Sequence, residues 1–148
     1  MGKCLGLTGP YAHIFKKMLE EAREVVQFIT PKELMGWLES GKNFTLIDVR
    51  EPDEVKAGKI AAPKELEIPR GMLDVMTARG VLLPDETYVL VCLTDGRATL
   101  EGAKLKQLFG FEKIYILQGG IRRWLKEGYP VVNKLGSLQL PPEPKNNK

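Results

Sequence analysis

A single α/β domain built on a parallel sheet with helices on both faces is the fold this sequence predicts. Three observations carry it. Apolar, β-rich runs recur at 44–49, 65–68, 87–91 and 113–117, and segments of helical periodicity with legible caps stand between them. The length of 148 residues suits one domain able to bury a sizeable core. Strand and helix in alternation favour right-handed crossovers, which lay successive strands parallel and place helices over the sheet. In sheets of this kind a site forms at the carboxyl ends of the strands.

The first element is an amphipathic helix from Tyr11 to Gln27, where Ile14, Phe15, Met18, Leu19, Ala22, Val25 and Val26 recur at helical spacing with Lys and Glu between them. Such a stripe is expected to pack on its own domain. Thr30, Pro31 and Glu33 then supply an N-cap, a first-turn proline and a capping-box acid ahead of Leu34, Trp37 and Leu38, and Gly41 ends that helix. Phe44 to Val49 reads as a buried strand that finishes in charges. Glu51 to Gly58 is a short helical turn, Glu65 to Ile68 a short strand before Pro69, and Arg70 to Arg79 a helix carrying Met72, Leu73, Val75 and Met76, closed by Gly80.

Pro84, Asp85 and Glu86 turn the chain into the strand Thr87 to Val91. A helix over 97–109 follows, with Ala98, Gly102, Leu105 and Phe109 on one face, and Gly110 stops it. Lys113 to Leu117 is a further strand, and Gly119-Gly120 leads into a helix over 121–128 with Ile121, Trp124 and Leu125 on one side. Trp37 and Trp124 read as core anchors. The tail, 133–148, is rich in Pro, Asn and Lys from Gly136 onward and is expected to be disordered.

Composition narrows the function classes. A net charge of +3 from 22 basic and 19 acidic residues, interspersed as in Lys56 to Lys59, is too mild for a nucleic-acid surface. Two cysteines cannot form a disulfide framework, and the first ten residues contain no apolar targeting core, so a cytoplasmic chain without a membrane span is expected. Gly2 and Cys4 suggest an acylation signal only weakly, since Gly6 stands where that pattern wants Ser or Thr. His13 is the sole histidine and reads as a surface residue, so no metal cluster is expected. Neither a dinucleotide fingerprint nor a phosphate loop occurs, and no cofactor is implied.

The segment from Leu90 to Leu100 concentrates the chemistry. Cys92 stands where the strand Thr87 to Val91 ends and the next helix begins, a tight turn in which successive N–H groups converge and the helix dipole adds partial positive charge. Arg97 adds a full charge. These are the groups that stabilise a thiolate, the reactive form of cysteine. Asp48, Arg50 and Glu51 end the strand of residues 44–49 and should be near neighbours of Cys92.

Three segments together resemble the rhodanese homology domain, the family of single-domain sulfurtransferases. Leu46 to Glu54 (LIDVREPDE) is similar to the family's first signature; Cys92 to Arg97 looks like its six-residue active-site loop; Leu117 to Val131 (LQGGIRRWLKEGYPV) is close to its closing segment. The resemblance covers residues 28–132, with the tail and amphipathic helix of 1–27 before it and 133–148 after it. It implies a five-stranded parallel sheet with an extra N-terminal helix outside the family's domain. It also implies that a thiolate on Cys92 takes sulfane sulfur from thiosulfate, polysulfide or a persulfide, becomes a persulfide, and passes the sulfur to a thiophilic acceptor, a small molecule or a protein. Backbone N–H groups of Leu93, Thr94, Asp95, Gly96, Arg97 and Ala98 would cradle the sulfur, Arg97 would position an anion or brace the loop, and Asp48 and Arg50 would form a supporting shell.

Loop length separates this reading from the phosphatase-like relatives of the fold. Those place five residues between Cys and Arg, whereas Leu93, Thr94, Asp95 and Gly96 make four here, a loop suited to one sulfur atom. Two positions depart from the family's pattern. Lys59 replaces a common histidine, with a structural effect expected, and Asp95 stands where glycine is frequent. A carboxylate about 4–6 Å from the sulfur opposes thiolate formation and repels a dianionic donor. At an effective dielectric near 20 and ~4 Å that repulsion approaches ~4 kcal/mol, and it falls if Asp95 faces water or pairs with Arg97. A weakly catalytic interaction or sulfur-carrier module is the alternative that Asp95 keeps open.

Overall fold

The computed structural model describes residues 6–141, so the acylation reading at Gly2 and Cys4 lies outside the described residues. The elements are α1 Ala12–Val25, β1 Gln27–Ile29, α2 Pro31–Ser40, β2 Thr45–Asp48, α3 Pro52–Ala57, β3 Glu65–Glu67, α4 Leu73–Ala78, β4 Tyr88–Val91, α5 Gly96–Gln107, β5 Ile114–Leu117, α6 Gly120–Lys126, β6 Val131–Asn133 and β7 Gly136–Leu138. Five strands form a parallel sheet in the order β1-β5-β4-β2-β3. Asp48 stands in register with Val91, so β2 and β4 end side by side. The carboxyl ends that carry Asp48 and Cys92 are thereby adjacent, as the sheet geometry requires.

Side-chain alternation along the strands divides the core into two layers. On one face Ile47, Val49, Tyr88, Leu90, Cys92, Ile114 and Ile116 pack with Ala22 and Val26 and with Ala98 and Leu105 of α5. On the other, Leu46, Val89, Val91 and Leu117 meet Leu34 of α2 and Ile121 and Trp124 of α6. β4 is buried at every position, the signature of a central parallel strand. Gly102 lets α5 approach β5, since a Cβ there would lie 2.6 Å from Ile116 Cδ1.

The α2 start forms as its sequence predicts. Thr30 Oγ1 accepts from the Glu33 N–H at 3.1 Å, Glu33 Oε1 accepts from the Thr30 N–H at 3.0 Å, and Gly41 closes the helix with φ +71. Trp124 is buried and its indole N–H donates to Pro130 O at 2.8 Å, while Trp37 is half-buried, edge-on to Phe44 and Tyr115.

Four expectations are corrected. The first helix ends at Val25 rather than Gln27, and Gln27–Ile29 is an edge strand on β5. Its apolar stripe buries Leu19 and Ala22, leaving Ile14 and Met18 exposed. The helix after Cys92 ends at Gln107, which takes Phe109 off its face and leaves that ring 36% exposed. Gly136–Leu138, expected in a disordered tail, pairs antiparallel with Val131–Asn133. Among the described residues no helix is long and apolar enough to cross a membrane.

Removing the α2 cap tests this account of the element. Thr30→Ala should lower the unfolding free energy by about 1 kcal/mol in urea titration and leave the alkylation rate of Cys92 unchanged.

Candidate active site

β4 delivers Cys92 to the end of the sheet, where its side chain joins the layer that includes Leu90 and Ala98 and is 1% exposed. α6 lies over the opposite face. Its N-terminal N–H groups take the loop's carbonyls: Ile121 donates to Cys92 O and Arg122 to Leu93 O, each at 3.0 Å. Because C=O and N–H of a trans peptide point in opposite directions, the N–H groups of Leu93 and Thr94 face away from α6, toward the side on which Cys92 packs. The loop then enters α5, whose Ala98 N–H points at Cys92 Sγ at 3.4 Å. The start of α5 thus supplies the donor at the sulfur, while the start of α6 holds the loop's carbonyls away from it.

The close approach of α6 requires Gly120. Its φ is +62, and a Cβ there would stand 2.1 Å from Thr94 O and 2.5 Å from both Cys92 O and Leu93 O. Gly119, at φ +77, donates its N–H to Asp95 Oδ2 at 2.9 Å. These glycines read from sequence only as a helix start; their position after a strand end was the available signal.

Arg97 is held by Glu54 of α3 in a two-pronged pair, Nη1–Oε1 at 2.7 Å and Nη2–Oε2 at 2.9 Å. α3 is itself fixed by Arg50. That buried guanidinium donates to both Asp48 oxygens, with Nη2–Oδ2 at 2.8 Å, to Gly58 O at 2.7 Å and to Glu54 O at 3.2 Å. A chain of contacts therefore runs from the end of β2 through Asp48, Arg50 and Glu54 to Arg97 on the loop. Glu54 was missed as a site residue because it also completes the α3 capping box with the Glu51 N–H, the role its spacing suggests.

Asp95 does not pair with Arg97. It is 4% exposed and forms an ion pair with Arg23 of α1, Oδ1 to Nη2 at 2.8 Å. No local pattern links residues 72 positions apart. Of the predicted loop residues, Thr94, Asp95, Gly96 and Ala98 are buried, Leu93 is exposed and Arg97 is half-buried. Beside the loop a groove of about 260 Å³ runs between Leu93 and α6, its apolar walls including Leu125 and Leu140 and its cationic side chains Arg122 and Lys126. Lys59 is structural: its ammonium pairs with Glu65 and Glu67, and its backbone exchanges hydrogen bonds with Val132.

Burial pushes the Cys92 thiol above its ordinary pKa, against the Ala98 N–H and the Arg97 charge, which favour the thiolate; Asp95 adds to the upward push. Glu54 moves the other way. Its carboxyl falls to about 2, first because the Arg97 guanidinium hydrogen-bonds it.

Residues 30–127 match the rhodanese-like domain family. The chain belongs to that family. It is 38% identical over 102 residues to the probable adenylyltransferase/sulfurtransferase MoeZ of Mycobacterium tuberculosis, a match covering 69% of this chain and 25% of that protein. This chain thus corresponds to about a quarter of that relative's length. A sulfurtransferase of Allochromatium vinosum is 28% identical over 108 residues, covering 73% of this chain and 96% of that one. Among solved structures, the polysulfide-sulfur transferase homodimer of Wolinella succinogenes superposes with a TM-score of 0.70 at 34% identity, covering 84% of this chain and 91% of that one. The family match begins after α1, so the rhodanese-like segment receives Arg23 from outside its own boundary.

Two measurements test this geometry. Gly120→Ala combines a left-handed alanine, costing about 1–2 kcal/mol, with a collision against three backbone oxygens, so urea titration should show a loss above ~2 kcal/mol. The Glu54 pair contributes stability above the unfolded carboxyl's pKa and loses it as pH falls through the folded value of about 2. Carbon-detected NMR should find Glu54 ionised at about pH 4 in the native protein and substantially protonated in Arg97→Met. Equal protonation in both would show that the pair does not form in solution.

Proposed function

We propose that this chain is a sulfurtransferase that carries sulfur as a persulfide on Cys92. The observation that carries the reading is the enclosure of Cys92 Sγ by a short loop, with the Ala98 N–H at 3.4 Å and the loop carbonyls of Cys92 and Leu93 turned away onto α6. Such a site solvates one sulfur anion with backbone dipoles in place of water. The sulfurtransferase names of the Allochromatium and Wolinella relatives agree with it.

In the first half-reaction the Cys92 thiol releases its proton to solvent and the thiolate attacks the sulfane sulfur of the donor. A new S–S bond forms on Cys92 as the donor's S–S bond breaks, and its electron pair leaves with the remaining donor fragment. In the second, an acceptor thiolate attacks the outer sulfur and Cys92 departs as thiolate. The outer sulfur of a persulfide is a better-stabilised anion than an ordinary thiolate, and it extends toward the loop's N–H donors. Burial that disfavours the resting thiolate therefore weighs less on the persulfide.

Donor choice follows from the pairing of charges. Arg97 is engaged by Glu54, and Asp95 stands on the other side of the loop, so dianionic thiosulfate meets a cation already neutralised. An organic persulfide, which carries one charge at the reacting group, fits better on this ground; polysulfide is the substrate class named for the Wolinella neighbour.

The test is mass spectrometry of the Cys92 peptide after exposure to polysulfide, an organic persulfide or thiosulfate. The organic persulfide should add one sulfur to most of the protein, thiosulfate several-fold less, and an acceptor thiol should remove it. Failure of Cys92 to gain sulfur from any of the three would refute the proposal and leave an interaction module.

A further inference from the structure

The loop carries an acid that the sulfur chemistry does not call for, and α1 supplies its counter-charge. Asp95 is 4% exposed, with Oδ2 on the Gly119 N–H at 2.9 Å and Oδ1 on Arg23 at 2.8 Å. Burying a carboxylate so far from water is costly unless hydrogen bonds and an opposite charge go with it. Arg23 is fixed in turn: its guanidinium lies over the Phe28 ring, 5.5 Å from the centroid, and its helix packs along α5 through Ala22, with Val26 just past the helix end in the same layer.

Most of the remaining charges around Cys92 close among themselves, and Arg122 and Lys126 of α6 line the groove on the far side of Leu93. From α3, Glu54 pairs with Arg97 of α5, and Glu51 faces the same guanidinium. At the end of β2, Asp48 pairs with Arg50; on α6, Arg123 pairs with Glu127. Removing Arg23 would leave Asp95 as a buried anion beside the sulfur with the Gly119 N–H still on it.

Resting on the sulfurtransferase reading, we infer that Arg23 of α1 is a positioning residue for the active-site loop: it cancels the Asp95 charge next to Cys92 and fastens the middle of the loop to a helix outside the rhodanese-like segment. The N-terminal helix is then a working part of the site. Asp95 in turn serves as a tether, and its cost to the thiolate is offset only while Arg23 is in place.

The experiment is the pH dependence of Cys92 alkylation by iodoacetamide, followed on the Cys92 peptide in the full chain, a readout that needs no sulfur donor. In Arg23→Met the midpoint should rise by about half a unit or more, slowing alkylation at neutral pH about threefold. Arg23→Lys should restore most of the native profile. Adding Asp95→Asn to Arg23→Met should remove the rise, because the uncancelled charge is gone. An unchanged midpoint in Arg23→Met overturns the inference, and so does a rise that persists in the double variant, which would mark a packing defect. Circular dichroism and urea titration on each variant establish that it is folded. If Cys92 takes up sulfur from no donor while these alkylation shifts appear, the sulfurtransferase reading fails and the electrostatic coupling stands; the reverse result leaves sulfur transfer intact and removes Arg23 from the site.

Discussion

Everything at this site depends on which way the peptide groups after Cys92 face. A loop of ordinary geometry would present carbonyls and N–H groups to the sulfur in mixture, and the carbonyl oxygens would repel an anion. Here the N-terminus of α6 takes the Cys92 and Leu93 carbonyls, and Gly120 makes room for three carbonyl oxygens to converge. The unsatisfied N–H groups of a helix start are natural partners for those oxygens. Once the carbonyls are committed to one side, planarity commits the adjoining N–H groups to the other. The direction of the Leu93 and Thr94 N–H groups is thus a consequence of helix packing on the opposite face of the sheet, and the Ala98 N–H on Sγ comes from the start of α5.

Charge plays a holding part around that backbone frame. Arg97 ties the loop to α3 through Glu54, Arg50 ties α3 to the end of β2 through Asp48, and Arg23 ties Asp95 to α1. The loop's own charges each have an opposite within hydrogen-bond reach, while Arg122 and Lys126 line the groove beside it. The thiol pKa is raised first by burial, and the Ala98 N–H and the Arg97 charge oppose that rise without overcoming it. A site of this kind favours an anion small enough to be solvated by backbone N–H groups and soft enough to lose little on leaving water. The outer sulfur of a persulfide has those properties.

What was legible in the sequence was what is local. Cys92 at a strand end, the Asp48–Arg50 pair two residues apart, the Thr30–Glu33 capping box and the unbroken apolar run of β4 are all written within a few positions. Two short strands escaped: Gln27–Ile29 is too short to show a period between a helix and a cap, and Gly136–Leu138 is too polar to stand out from a tail. The partners of the loop charges escaped for a different reason. Glu54 lies 43 residues from Arg97 and Arg23 lies 72 from Asp95, and only the sheet order brings them together. The repulsion expected from Asp95 was to fall if it faced water or paired with Arg97; it does neither, and its partner is Arg23 while that of Arg97 is Glu54.

The central claim is that the backbone frame around Cys92 is already formed before sulfur arrives. Amide ¹⁵N spectra and relaxation of the protein with Cys92 reduced and then loaded from polysulfide test it most directly. The account predicts that chemical-shift changes concentrate on the amides of Leu93 to Ala98 while relaxation in that loop and at the start of α6 stays as it was. Rigidification of a loop that is mobile when reduced, or shift changes that bypass those amides, would contradict it.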